Sequence, residues 1–147
     1  LKTVLEAGTC APTSRGKQSP FIVAVQNEEL LARLAKMNAD VMGVTSNPYY
    51  GAPTYILVVV STESHNPICD GSCVLENMML AANALGLGTC WIHREREMFE
   101  TEEGKQLLKE WGIPENVIGV GALAIGYPDG EPSPAKPRKE GYYRIIK

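Results

Sequence analysis

Residues 70–93 read DGSCVLENMMLAANALGLGTCWIH. Asp70 or Ser72 can cap a helix here, and the helix over 72–85 stops at Gly86. Val74, Leu75, Met78, Met79, Leu80, Ala81, Ala82 and Leu85 leave almost no polar stripe on it. A helix apolar nearly all round is a buried helix. In a chain of 147 residues, full burial of such a helix predicts a second subunit against one side. After the Gly86-Leu87-Gly88 turn, Thr89–His93 reads as a short strand.

Outward from this stretch, Tyr55–Val60 (YILVVV) is apolar at every position, as expected of a central strand covered on both faces. Phe21–Gln26 (FIVAVQ) and Val117–Tyr127 are further strands, the latter with small residues at 119, 121, 122 and 124 that allow close backbone approach. A first helix ends near Gly8. Asn27 caps a second from Glu28 to about Asn38, and Thr101 caps another to about Trp111. Residues 43–53 read as a loop. Residues 128–139 hold four prolines and read as an extended arm, followed by a final edge strand over Tyr142–Ile146. The class is α/β or α+β, in one domain without internal repeats.

Fourteen basic and 17 acidic residues leave a net charge of −3. A non-specific nucleic-acid binder is expected to be basic, so that class is disfavoured. The longest apolar run is strand-length, far short of a membrane span. The first residues lack the charged-then-apolar pattern of a secretory leader, so a cytoplasmic protein is expected. Cysteines stand at 10, 69, 73 and 90, with no C-x-x-C pair, and the only histidines are His65 and His93. At most half of a zinc site can be argued from that spacing. The thiols are expected to be buried or half-buried and free. No G-x-G-x-x-G, P-loop or G-x-S-x-G motif occurs.

Three polar segments could carry chemistry, although each also reads as an ordinary solvated connector or packed strand end. Ala11–Gln18 (APTSRGKQ) concentrates hydroxyls, an amide and two cations beside a flexible glycine. Thr89–Arg94 ends a strand, a common ligand position in α/β sheets. Lys136-Pro137-Arg138-Lys139 clusters cations on a stiff arm, suited to a phosphate. The carboxylates Glu95, Glu97, Glu100, Glu102 and Glu103 read as solvated helical surface. With so few acid–base groups placed together, an enzyme built this way relies on a cofactor.

In their order along the chain, four segments resemble the FMN-dependent nitroreductase family. They are Ala11-Pro12-Thr13-Ser14 with Gln18, then Gly51-Ala52-Pro53 leading into YILVVV. The third is Asp70 followed by NMMLAA, LGLG and TCWI over 77–92, and the last is Gly126-Tyr127-Pro128 followed by Lys136-Pro137-Arg138. The resemblance spans essentially the whole chain.

The resemblance implies an α+β fold with a central mixed or antiparallel sheet flanked by helices. It also implies a homodimer with helix 72–85 at the interface and FMN bound between subunits. Pro12, Thr13, Ser14 and Gln18 are then expected against the flavin from the partner subunit. Asn47 is expected at the pyrimidine edge, and the backbone at Trp91, Ile92 and His93 beside N5. Lys136 and Arg138 are expected at the phosphate. The implied reaction is ping-pong: NAD(P)H reduces FMN by hydride transfer, and a nitroaromatic, quinone or similar small acceptor is reduced in turn. No side chain need act as acid or base, and His93 is expected to border the acceptor pocket. The alternative reading is a non-catalytic FMN-binding or sensing protein, or a flavin-poor dimeric scaffold. The family usually opens with an R-R-S-x-R segment that grips the phosphate. This sequence has none and starts in what reads as mid-helix, so the grip falls to Lys136 and Arg138. Gly16 and Pro20 stand where the family has an asparagine and an aromatic residue.

Overall fold

The structure is a computed structural model that describes residues 1–131 and 133–147. Along the chain run α1 (Lys2–Thr9), β1 (Pro20–Val25), α2 (Glu28–Met42), β2 (Thr54–Ser61) and α3 (Pro67–Ala84). They are followed by β3 (Gly88–Ile92), α4 (Glu95–Glu100), α5 (Glu102–Glu110) and β4 (Val117–Gly126).

β2 organises the rest. Its side chains alternate between the two faces of a pleated strand. Tyr55, Leu57 and Val59 join one core with Leu34 and Met37 of α2, Met98 and Phe99 of α4, and Leu107 and Leu108 of α5. Ile56, Val58 and Val60 join the other, with Val4 of α1 and Val74, Leu75, Met78 and Ala82 of α3. The sheet order is β1-β2-β4-β3 and every pairing is antiparallel, so the fold is α+β with helices on both faces. A bulge where β4 passes Val58 and Val59 leaves Val120 without a partner on β2. Val120 meets α3 at Gly71, where an added Cβ would lie 2.6 Å from Val120 Cγ2. α3 seats there only because that position carries no side chain.

Several expectations need correction. α3 starts at Pro67 with Asn66 as its N-cap, ahead of Asp70 and Ser72, because a proline is pre-set for the first helical position. α2 runs on to Met42, since Met37 and Ala39 extend its buried face and Gly43 supplies the left-handed stop (φ 73°). Tyr142–Ile146 is not a strand and is exposed, because neither edge of the chain's own sheet pairs with it. The described residues of 128–139 have no regular structure, and Pro132 lies outside them. All four cysteines are free but exposed, contrary to the expected burial. Cys69 and Cys73 lie in the first turns of α3, off its buried face. Helix α4 is an addition, and its Glu95 is wholly buried, not on a solvated surface. On α3 the apolar Ile68 and Leu80 stay exposed in the single chain, as does Leu85 at its end.

Candidate functional site

The Ala11–Gln18 loop is built around one helical turn at Ser14–Gly16. Arg15 (φ 57°) and Gln18 (φ 51°) sit in the left-handed region, which costs side-chain-bearing residues on the order of 1–3 kcal/mol each. Asp70 holds the loop in that shape. Its Oδ1 accepts from the Ser14 N–H at 2.8 Å and from Ser14 Oγ at 2.9 Å, while Oδ2 accepts from Ser64 Oγ at 2.6 Å. Asp70 is 4% exposed. Burial pushes its carboxyl up, but the hydrogen bonds from Ser64 and Ser14 together outweigh burial and hold it below the ordinary carboxylate range. The Thr13 hydroxyl oxygen accepts from the Gln18 N–H at 3.0 Å and closes the loop. Thr13 and Ser14 are half-buried, and Pro12, Arg15, Lys17 and Gln18 are exposed.

A second group gathers around the entry to β2. Asn47 Oδ1 accepts from the Tyr49 N–H at 2.8 Å and its Nδ2 donates to Tyr55 Oη at 3.3 Å, which leaves one N–H without a partner among the described residues. The Tyr49 and Tyr55 rings stack with centroids 3.9 Å apart. Tyr49 Oη donates to Glu95 Oε1 at 2.9 Å. Asn38 Nδ2 donates to the His93 carbonyl at 2.8 Å and Arg94 Nε donates to Asn38 Oδ1 at 2.7 Å. Asn38 Nδ2 also lies 3.4 Å from Tyr49 Oη, so Asn47 and the His93 carbonyl are joined through Tyr49 and Asn38 in one polar network. Burial raises the Glu95 carboxyl to about 7, against the lowering effects of Tyr49, its own N–H and Arg94.

The side chains of Trp91 and Ile92 face opposite cores. Trp91 packs over Gly121, and its Nε1 is buried without a partner. What this strand presents outward is backbone: among the described residues β3 pairs with no strand but β4, so its other edge is open. His93 is exposed just past the strand. Lys136 and Arg138 are exposed on the arm and join none of the ion pairs among the described residues.

The predicted residues do not come together within one chain: the Pro12–Gln18 loop and the Asn47 loop enter opposite ends of the sheet, and Ile92 ends β3 on the edge opposite β1, paired with Ala122 and so level with Leu57 halfway along β2. The Pro12–Gln18 loop enters β1 at Pro20, which pairs with Val60 at the far end of β2. The Asn47 loop enters β2 at Thr54, which pairs with Ile125, and the arm leaves from Gly126 at that same end. The eight residues of β2 span roughly 25 Å at about 3.3 Å per residue. No side-chain hydrogen bond among the described residues joins the two groups. Sequence reasoning missed Asn38, Tyr49 and Glu95, and took Asp70 as a helix cap and as part of the resemblance, without its tie to Ser14. The cue for Glu95 was the run of small residues from 119, against which its backbone packs.

Among the described residues, no group of three His, Cys, Asp or Glu side chains is placed to hold a metal ion, and no helix is long and apolar enough to cross a membrane.

Residues 42–127 match the model of the nitroreductase family. A nitroreductase with bound FMN from Bacteroides fragilis superposes with a TM-score of 0.89 at 29% identity, covering 99% of this chain and 86% of that one. A protein of Archaeoglobus fulgidus provisionally named NADH dehydrogenase/NAD(P)H nitroreductase is 27% identical over 141 residues, 89% of this chain and 74% of that protein. The NADPH-flavin oxidoreductase of Vibrio harveyi is 26% identical over 93% of this chain and 59% of its own length.

Proposed function

The chain belongs to the nitroreductase family of flavin oxidoreductases, and on that premise we propose that two copies of it bind FMN between them and pass electrons from NADH or NADPH to a nitroaromatic, quinone or similar small acceptor. The observation that carries this reading is the division of the site. The Pro12–Gln18 loop leads into β1, Ile92 ends β3 on the opposite edge of the sheet, and the Asn47 loop and the arm stand at the other end of β2; a second copy that brings its own loop against Asn47, β3 and the arm would unite them on one ligand. The exposed apolar side chains Ile68, Leu80 and Leu85 supply a surface for that second copy.

The donor set suits FMN. Bound FMN would supply the hydride-accepting and hydride-donating chemistry. Asn47 offers its remaining N–H to the pyrimidine edge. The open edge at the end of β3, at Ile92–His93, would set backbone against the ring nitrogen. Ser14 acts through the shape of its backbone, since its hydroxyl hydrogen goes to Asp70. Pro12, Thr13 and Gln18 line the ring from the partner's side. Lys136 and Arg138 neutralise the phosphate. His93 borders the acceptor position. The four free thiols fit a reducing cytoplasm, where NADH and NADPH are at hand.

The test is reconstitution with FMN, gel filtration and a visible spectrum of the protein peak, followed by NADH and NADPH oxidation with a nitroaromatic or quinone. Retained flavin and acceptor-dependent oxidation support the reading. A colourless protein that cannot be loaded supports the flavin-poor scaffold instead, and a loaded protein that oxidises neither nucleotide supports a binding or sensing role.

A further inference from the structure

Glu95 is wholly buried although it lies in the charged run HRERE. A buried carboxyl is costly unless neighbours satisfy it. Tyr49 Oη supplies one hydrogen bond at 2.9 Å, and Oε2 has no partner. Two segments close on it: Tyr49, ahead of β2, on its side chain, and Gly119 of β4 on its backbone. A Cβ at Gly119 would lie 2.4 Å from the Glu95 carbonyl.

The residue just before Glu95 is the other half of the argument. Arg94 holds a left-handed backbone (φ 84°, ψ 5°), a conformation that persists in a non-glycine residue only when its surroundings impose it. Asn38 imposes it by binding both the His93 carbonyl and the Arg94 guanidinium. Arg94 only donates and the carbonyl only accepts, so the Asn38 amide has a single orientation. Tyr49 has one hydroxyl hydrogen. Glu95 takes it, which leaves the Tyr49 oxygen to accept from Asn38 Nδ2 at 3.4 Å. The stack on Tyr55 keeps the Tyr49 ring from turning away.

We propose that Glu95 is a positioning residue: through Tyr49 and Asn38 it holds the His93–Arg94 turn, and with it the orientation in which the Ile92–His93 backbone meets the flavin. The proposal rests on the flavin reading above.

The experiment compares FMN-loaded wild-type protein with E95L, E95Q and Y49F. It reads the rate of flavin reduction by NADH or NADPH, the reduction potential of the bound FMN, and hydrogen exchange of the 93–98 amides. E95L is expected to keep FMN at full stoichiometry and lose about tenfold to hundredfold in reduction rate, the scale of a small misplacement. Its potential shifts and the Met98 amide, bonded to the Arg94 carbonyl, exchanges faster. E95Q still accepts from Tyr49 and recovers most of these properties, and Y49F behaves as E95L does. Wild-type rate, potential and exchange in E95L overturn the proposal, as does an E95Q protein as impaired as E95L. If E95L does not fold, Y49F decides: wild-type behaviour there overturns it. If the wild-type protein takes up no FMN, the flavin reading fails by itself. Exchange in the flavin-free protein then tests the link from Glu95 to the turn, and unchanged exchange in the variants overturns it.

Discussion

Asp70 Oδ1 accepts from both the backbone N–H and the hydroxyl of Ser14, at 2.8 and 2.9 Å, and so ties a strained loop to the first turns of α3. The position of the loop is thereby coupled to that of the helix. A helix expected to face a second copy carries its half of the cofactor site with it.

Removing that tie should be felt twice. D70N is expected to destabilise the fold by about 2 kcal/mol, the scale of lost hydrogen bonds to a charged group, and to weaken FMN binding by roughly tenfold. It should also change the acid limb of stability. The Asp70 carboxyl is held low in the folded state, so its contribution is present above the unfolded value, about 3.9, and is lost as pH falls through the lower folded one. Urea unfolding from pH 7 down to pH 3 should show a shallower acid loss in D70N. An identical acid limb would remove Asp70 from the account.

Glu95 should act in the opposite sense. Burial raises its carboxyl to about 7, so the folded protein binds more protons than the unfolded one between roughly 4.5 and 7. Its contribution is full below the unfolded value, declines as pH rises through that window, and levels off above it. The charged neighbours acting on it are Arg94, which lowers the shift, and Glu97, which adds to it. E95Q carries no titrating proton, and its stability between pH 4.5 and 7 should be flatter than that of the wild type. Parallel curves for the two proteins would contradict this.

K136A/R138A should weaken FMN binding by about a hundredfold or more, since each charge-assisted hydrogen bond contributes roughly 1.5–3 kcal/mol. Riboflavin, which has no phosphate, is the control. Titrations should show a large loss for FMN and little for riboflavin, and equal losses for both would place the two cations elsewhere.

G71A places a methyl group against Val120, 2.6 to 2.9 Å from its side-chain carbons. Overpacking of this kind costs about 1–3 kcal/mol. The double variant G71A/V120A should recover most of the loss in thermal unfolding. No recovery would mean that α3 does not seat on the β4 bulge.

H93A is expected to leave FMN binding intact and to alter KM for the acceptor, because the His93 side chain is exposed just past the end of β3. An unchanged KM would remove it from the acceptor pocket.

Much of the fold was legible because apolar periodicity reports burial directly. YILVVV announced a strand covered on both faces, and 72–85 a helix with too much apolar surface for one small chain. Buried polar residues were the part that was not legible. In HREREMFE every carboxylate looks alike, and only the three-dimensional approach of Gly119 decides that Glu95 is the one inside. Asp70 looked like a cap because capping is the common use of an aspartate near a helix start. Its partners Ser14 and Ser64 are joined to it by the fold, not by spacing. Tyr142–Ile146 has strand composition, but composition does not decide pairing, and it pairs with neither edge of the chain's own sheet.

The central claim is that one flavin site draws on two copies, and mixing two defective variants tests it most directly. T13W blocks the loop half, and K136A/R138A disables the arm half. Neither alone should retain FMN through gel filtration. After the two are unfolded and refolded together, half of the dimers are mixed and each mixed dimer rebuilds one of its two sites. About a quarter of the wild-type FMN and activity should then return. If both variants fold and pair but the mixture stays colourless, the two halves of the site belong to one chain and the account is wrong.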